Sequence, residues 1–297
     1  MTDYFKKYNY APDIEAVNRS LQLISMGLED ITCPQVLKDC FSMMDLTTLK
    51  TNDTPVSVSK LVRKVNEFRS HYPEYPNPAS ICVFSNFAPV LKETLTAEGV
   101  HITVVSACFP SSQSFLEVKL KEVEMAVEAG ADEVDIVLAL NAFLEGDYDR
   151  ASNEIVQVRK TIDRIAEAQN RKVVLKVILE TGLLATPENV ANASFLAMEA
   201  GADFIKTSTG KVEVNATPTV AYVMCECIAA FYKVTGRRIG FKPAGGMSTA
   251  SDAVSYYSIV STVLGKEWLN KNLFRLGVSR MANNLLSEVE QKTVTYF

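Results

Sequence analysis

Eight short apolar runs, separated by stretches of helical period, restrict the fold of this 297-residue chain more than any other feature. They are Phe41–Leu46, Ser80–Phe84, Ile102–Ala107, Glu133–Leu138, Val173–Leu179, Phe204–Thr207, Ile239–Phe241 and Phe274–Val278, with roughly 20 to 40 residues between neighbours. Short apolar runs bounded by turn formers read as buried strands, and parallel strands need a helix-length crossover between them. Eight such units close a barrel, which takes about 250 residues as a single domain. The expectation is an α/β protein, a TIM (β/α)8 barrel over residues 41–297 with a C-terminal tail.

The intervening segments carry helix signals. Val56–Arg69 follows a Thr-Pro start, while Phe115–Ala129 ends in Gly130 and Pro187–Ala200 ends in Gly201. The sequence Glu-Ala-Gly-Ala-Asp occurs at 128–132 and again at 199–203, each time where a helix turns back into a strand. Residues 1–40 stand outside the rhythm and hold amphipathic stretches, Ile14–Ile24 and Pro34–Cys40, which read as extra N-terminal helices packed on the barrel. Pro73, Pro76 and Pro78 make a rigid loop before the second strand, with no composition shift to mark a domain break.

Composition then removes several kinds of chemistry. A net charge of −5 leaves no electrostatic footprint for nucleic acid or an acidic membrane, and no stretch approaches the roughly 20 apolar residues of a membrane span. The amino terminus lacks an apolar signal core, so a cytoplasmic location is expected. Six dispersed cysteines, Cys33, Cys40, Cys82, Cys108, Cys225 and Cys227, form no pair of CxxC units and read as reduced thiols. With only His71 and His101, a histidine-rich metal site and a Ser-His-Asp triad are poorly supplied. Reactivity has to come from lysines and carboxylates.

Two lysines stand where a buried strand would otherwise be apolar: Lys206 in Phe-Ile-Lys-Thr-Ser-Thr-Gly-Lys and Lys242 in Gly-Phe-Lys-Pro-Ala-Gly-Gly. Lysine is rarely buried unless paired or reactive. In a barrel the carboxyl ends of the strands converge on one mouth, which would gather Asp45, Cys82, Asp135, Lys176, Lys206 and Lys242. A lysine attacks a carbonyl only as the free amine, and its ordinary pKa of about 10.4 must be lowered by burial or a neighbouring cation. Lys206 and Lys242, on adjacent strands, can act on each other in this way; the alternative is that each neutralises a carboxylate in a structural network. Spacing does not choose the nucleophile. Asp135, inside the fourth strand, is the leading proton-transfer group, and an ion pair with Lys176 on the next strand is compatible with that role.

Backbone donors follow the last three strands. Thr209, Gly210 and Lys211 lie in the first loop, Gly245 and Gly246 in the second, and Gly277 and Ser279 in the third. Each alone reads as a turn; together they occupy the region where barrels commonly hold phosphate. No P-loop or GxGxxG spacing occurs.

These residues fall in longer motifs: Met44-Asp-Leu-Thr-Thr-Leu49, Ser80-Ile-Cys-Val83, Gly130-Ala-Asp-Glu-Val-Asp-Ile-Val137, Leu175-Lys-Val-Ile-Leu-Glu-Thr-Gly182, Ala202-Asp-Phe-Ile-Lys-Thr-Ser-Thr-Gly-Lys-Val212, Asn215-Ala-Thr-Pro218 and Gly240-Phe-Lys-Pro-Ala-Gly-Gly246. In kind and order they resemble the signatures of the deoxyribose-phosphate aldolase family, over roughly residues 40 to 280. The resemblance implies a metal-independent class I aldolase that reversibly cleaves 2-deoxy-D-ribose 5-phosphate to D-glyceraldehyde 3-phosphate and acetaldehyde.

Carried across by position, the resemblance makes Lys206 the Schiff-base lysine, Lys242 the second lysine that lowers its pKa, and Asp135 part of a proton relay through water. Lys176, Asp45 and Cys82 take supporting places. Gly210, Lys211, Gly245, Gly246, Gly277 and Ser279 take the phosphate region, and Tyr296 is the nearest counterpart of a tail tyrosine that assists proton exchange. A homodimer is a candidate assembly. Two departures bear on phosphate affinity and substrate range: Phe109-Pro-Ser-Ser112 lacks the glycine of the family's loop after strand three, and Gly277-Val-Ser-Arg280 stands for Gly-x-Ser-Ser. Rival readings are a Schiff-base barrel for another sugar phosphate or aldehyde, and a catalytically silent phosphate-binding barrel.

Overall fold

Each apolar run becomes a parallel strand because the helix that follows it returns the chain to the same end of the sheet. The computed structural model describes residues 3–297. Among these residues the strands are β1 (Met44–Thr47), β2 (Ser80–Phe84), β3 (His101–Val105), β4 (Glu133–Val137), β5 (Val174–Ile178), β6 (Phe204–Lys206), β7 (Gly240–Lys242) and β8 (Leu276–Val278). They are hydrogen-bonded in the order β7-β6-β5-β4-β3-β2-β1-β8. Isolated parallel bridges from Phe241 to Phe274 and from Ala244 to Gly277 bring β7 against β8 and close the ring.

Helices α1 (Tyr4–Tyr8), α2 (Ile14–Met26), α3 (Leu28–Ile31) and α4 (Pro34–Ser42) precede the first strand. The surrounding ring consists of α5 (Pro55–His71), α6 (Ala88–Thr94), α7 (Leu116–Glu128), α8 (Leu140–Leu144), α9 (Tyr148–Ala168), α10 (Pro187–Glu199), α11 (Pro218–Thr235), α12 (Ala250–Leu264) and α13 (Met281–Glu290). Three ring helices start alike. Thr54-Pro55, Thr186-Pro187 and Thr217-Pro218 each put a threonine at the N-cap, accepting a first-turn amide, and a proline at a position whose missing N–H costs nothing. Each cap contributes about 1 kcal/mol and fixes where a βα loop ends at the mouth.

The first run divides differently from its sequence reading. Phe41 lies in α4, whose Leu37, Cys40 and Phe41 form a buried stripe, and its ring stacks on Phe68 of α5 at 4.8 Å. A helix end and a strand start, both apolar, had merged into one run. Phe274 likewise precedes β8 and makes only the bridge to Phe241. The first helices sit on the outer ring: Tyr8 stacks on Phe195 of α10 at 4.5 Å and donates to Glu199, and Tyr10 donates to Glu226 of α11.

Candidate active site

Alternation along the strands aims one residue in two at the barrel axis. On β4 this sends Glu133 and Asp135 inward together, and the register sets Asp135 beside Lys176 of β5 and Lys206 of β6 beside Lys242 of β7. Asp135 becomes the hub. Its Oδ1 accepts from Lys176 Nζ at 2.9 Å, and its Oδ2 accepts from both Lys206 Nζ and Lys242 Nζ at 2.9 Å. Two lysine nitrogens on one oxygen stand no farther apart than twice that distance. Lys242 Nζ also lies 2.5 Å from Asp45 Oδ2.

A second tier beneath these residues was missed in the sequence reading. Arg275, directly before β8, is almost fully buried; its guanidinium donates to Asp45 Oδ1 at 2.6 Å and to Glu133 Oε1 at 2.5 Å. Glu133 Oε2 in turn lies 2.5 Å from Lys176 Nζ and accepts from Thr103, while His101 Nδ1 is 2.7 Å from Glu133 Oε1. Ser80 donates to Asp45. The available signal was period two: Glu133 shares a strand face with Asp135.

The buried cluster holds four cations, Lys176, Lys206, Lys242 and Arg275, against three carboxylates, Asp45, Glu133 and Asp135. One cation is in surplus. Burial works against every charge here, yet the Asp135 and Asp45 carboxylates outweigh it at Lys242 and hold that ammonium above its ordinary range. Asp135 and Glu133 likewise raise Lys176. Burial would lift the Asp45 carboxyl, but Lys242 and Arg275 bring it down to about 2. Only Lys206 moves toward the free amine: burial lowers its pKa, Lys242 adds to the effect, and Asp135 opposes it. Lys206 is also the lysine of this set that keeps some exposure, 4%, where Lys176 and Lys242 have none. Cys82 is fully buried beside Leu49 and Val105, and burial pushes its thiol up.

The glycine loops meet at the mouth. Gly210, Gly245 and Gly246 have φ of 77°, 79° and 76°, the left-handed region that glycine enters freely. A Cβ on Gly210 would sit 4.0 Å from Gly245 Cα, so these two loops are neighbours. Thr209 shapes its loop instead of presenting a free hydroxyl: its amide and Oγ1 donate to Glu180 at 3.1 and 2.5 Å, and Oγ1 accepts the Lys211 amide. Lys211 Nζ donates to the Leu49 carbonyl at 2.6 Å, tying the loop after β6 to the one after β1. Ser279 is exposed just past β8.

Two expected site residues are placed otherwise. Gly277 lies inside β8, where a Cβ would come within 2.8 Å of Ala244 Cβ and 3.1 Å of Lys242 Cε; it makes room for the Lys242 stem. Tyr296 packs on Phe68, His71 and Tyr72 at the C-terminal end of α5, and its hydroxyl donates to the Lys64 carbonyl at 2.8 Å. Since α5 starts at the mouth and runs away from it, Tyr296 sits toward the opposite end of the barrel. Edge-on aromatic packing decides its place.

The loop after β3 keeps a left-handed turn without glycine. Ser112 adopts φ 55°, following Ala107 and Cys108 at 54° and 62°. Glu122 accepts the Cys108 amide, and the Ser112 hydroxyl is held by Lys119, itself paired with Glu154 at 2.6 Å. A large cleft of about 1030 Å³, lined by Arg159, Arg171, Asp203 and Arg237, lies elsewhere, and those arginines are committed to neighbouring carbonyls and carboxylates.

The model of the DeoC/LacD family aldolases matches residues 40–261. Deoxyribose-phosphate aldolase of Homo sapiens is 40% identical over 261 residues, covering 84% of this chain and 78% of its own. That of Mus musculus agrees in all four figures. Among solved structures, QR15, an aldolase, has a TM-score of 0.67 at 25% identity, covering 85% of this chain and 97% of its own. The deoxyribose phosphate aldolase of Aeropyrum pernix, described as tetrameric, has a TM-score of 0.65 at 24% identity over 93% of this chain and 98% of its own, a likeness of fold. A match from residue 40 to residue 261 takes in β1 to β7 and every lysine of the buried cluster, and the chain belongs to the DeoC/LacD family of aldolases.

Proposed function

We propose that the chain is a class I aldolase that reversibly cleaves 2-deoxy-D-ribose 5-phosphate to D-glyceraldehyde 3-phosphate and acetaldehyde through a Schiff base on Lys206. One observation carries the reading: of the buried cluster's cations, Lys206 alone is driven toward the free amine, and it faces the mouth. The amine adds to the C1 aldehyde of the open-chain sugar, and loss of water leaves a protonated imine. Removal of the C3 hydroxyl proton lets the C2–C3 electron pair pass into the imine, releasing the triose phosphate and an enamine. Protonation of the enamine at C2 and hydrolysis return acetaldehyde and the amine.

Asp135, within hydrogen-bond reach of Lys206, is the group assigned to move these protons through water, and Lys242 keeps its own charge and disfavours the ammonium of Lys206. Lys176 and Asp45 hold Asp135 and Lys242 in place, and Cys82 fills the wall beside them. The amides around Gly210, Gly245 and Gly246, with Lys211 and Ser279, are assigned to the phosphate. The reading includes no metal or cofactor, a cytoplasmic location and a homodimer. Among the described residues no helix is long and apolar enough to cross a membrane.

The test is intact mass and peptide mapping after borohydride reduction with acetaldehyde. Two-carbon labelling of Lys206 is expected, and its absence overturns the assignment. Kinetics with phosphorylated and unphosphorylated substrates test the specificity: Lys211 and Ser279 substitutions should raise KM for the phosphorylated one alone.

A further inference from the structure

The reaction assigned above uses the upper tier of the buried cluster and leaves the lower tier without a task. Arg275 is 1% exposed, enclosed between Asp45 and Glu133, with its guanidinium carbon 5.8 Å from the Phe204 ring centre. The barrel gives up packing to fit this arrangement: Gly240 stands where a Cβ would fall 2.3 Å from the Phe204 ring. A buried arginine is costly, and hydrophobic residues of similar size serve stability as well or better. Its placement calls for another reason.

We propose that Arg275 is a positioning residue for the imine lysine: by occupying Asp45 and Glu133 from below, it fixes the one-cation surplus of the buried cluster and so keeps Lys206 as the free amine. With Arg275 in place, three carboxylates face four cations. Asp45 is shared between Arg275 and Lys242, Glu133 between Arg275 and Lys176, and Asp135 among the three lysines. Lys176 and Lys242 each touch two carboxylates within 3 Å, whereas Lys206 touches one. The proton missing from the cluster is therefore the one on Lys206. Lys206 shows this direction and its two neighbours the reverse.

The inference rests on Lys206 as the Schiff-base lysine. The charged and titratable groups around it are Asp45 on β1, Cys82 on β2, Glu133 and Asp135 on β4, Lys176 on β5, Lys242 on β7 and Arg275 before β8. His101, at the foot of β3, reaches the set through Glu133.

The experiment is a set of pH profiles of kcat/KM for deoxyribose 5-phosphate cleavage, each read against wild type in the same buffers so that ionisation of the substrate phosphate cancels. Arg275→Met leaves three cations on three carboxylates, the ammonium of Lys206 becomes affordable, and the acid limb moves up by roughly one pH unit or more. Glu133→Gln leaves four cations on two carboxylates and moves the limb down. The double variant restores a surplus of one and returns the limb toward wild type, and Arg275→Lys, which keeps the charge, leaves it in place. His101→Gln added to each variant preserves both shifts. Circular dichroism checks that each variant is folded; if Arg275→Met alone does not fold, the upward step from Glu133→Gln to the double variant makes the same measurement. A structural role would lower the profiles without moving their limbs, and unmoved limbs, or shifts of the same sign, overturn the inference. Borohydride trapping on wild type separates the two failures: label on another lysine sinks the Schiff-base assignment, while label on Lys206 with unmoved limbs sinks only the role of Arg275.

Discussion

Lys119 and Lys206 are buried to nearly the same degree, 3% and 4% exposed, in two different regions of the molecule. Lys119, on α7 under the loop after β3, has one carboxylate, Glu154 at 2.6 Å, and the Ser112 hydroxyl at 3.0 Å. Lys206, inside the barrel, has one carboxylate oxygen that it shares with a second ammonium. The first environment supplies a counter-charge and a strut for the loop; the second supplies fewer counter-charges than cations. Burial alone does not make a lysine reactive, and the local charge count does.

The largest expected effect separates them at once. Lys206→Leu should abolish acetaldehyde trapping and cut turnover by roughly a thousandfold or more, since no other lysine of the cluster is both shifted toward its neutral form and partly exposed. Lys119→Met should leave trapping on Lys206 intact while costing about 1–3 kcal/mol of stability, because Glu154 and Ser112 lose their partner. If Lys119→Met removed trapping, or Lys206→Leu kept it, the contrast between the two sites would fail. Lys242→Leu comes next: with its ammonium gone the cluster is balanced, so Lys206 holds its proton more firmly. Trapping should survive more slowly and kcat fall by roughly a hundredfold.

Stability sharpens the contrast through its sign. The folded state binds the Lys206 proton less firmly than the unfolded chain does, so wild-type stability rises with pH between the lowered folded value and the ordinary value of about 10.4. Lys206→Met removes that penalty. Its melting temperature at pH 7 should exceed that of wild type, with the advantage shrinking as pH rises toward about 10.4 and gone above it, whereas Lys119→Met should melt lower at pH 7. A loss of stability in Lys206→Met at neutral pH would show that the ammonium is well solvated or well paired after all.

The fold was legible because each strand is buried on both faces and so appears as an apolar run, and because Thr-Pro and Ala-Gly mark where helices start and stop. The edges were not: Phe41 belongs to a helix whose apolar end abuts an apolar strand, and a run of one polarity cannot show a change of period. At the site, Asp135, Lys206 and Lys242 stood out as charges inside apolar strands. Glu133 was harder to see because it opens its run, where a charge reads as an end, and Arg275 because it sits in the run Phe274–Val278 ahead of the strand proper. Thr209 and Gly277 look like ligand contacts from sequence, yet the partners that occupy them, Glu180 just past β5 and the Lys242 stem on β7, come from distant parts of the sequence.

Gly277 supplies a smaller test of how finely the active lysines are held. Gly277→Ala adds a Cβ 2.8 Å from Ala244 Cβ, so β7 and β8 must separate slightly, at a cost of about 1–3 kcal/mol. Because the same Cβ approaches Lys242 Cε at 3.1 Å, kcat should drop about tenfold with KM little changed, measured by steady-state kinetics. An increase in KM alone would return Gly277 to the phosphate site.

The smallest expected effect concerns the tail. Tyr296 packs edge-on or tilted among Phe68, Tyr72, His71 and Phe297, and Asn283 fastens the last residue by accepting its amide and donating to its carbonyl. This packing commits the hydroxyl to the Lys64 carbonyl, at the end of the barrel away from Lys206. Tyr296→Phe should therefore cost about 1 kcal/mol of stability, the worth of one part-buried hydrogen bond, and leave kcat within about twofold. Exchange of the acetaldehyde methyl protons with deuterated water, followed by NMR with enzyme alone, isolates the enamine protonation step. An exchange rate equal to wild type places that proton with Asp135 and water; a tenfold fall would mean that the tail leaves its aromatic seat during turnover and that the tyrosine acts at the mouth.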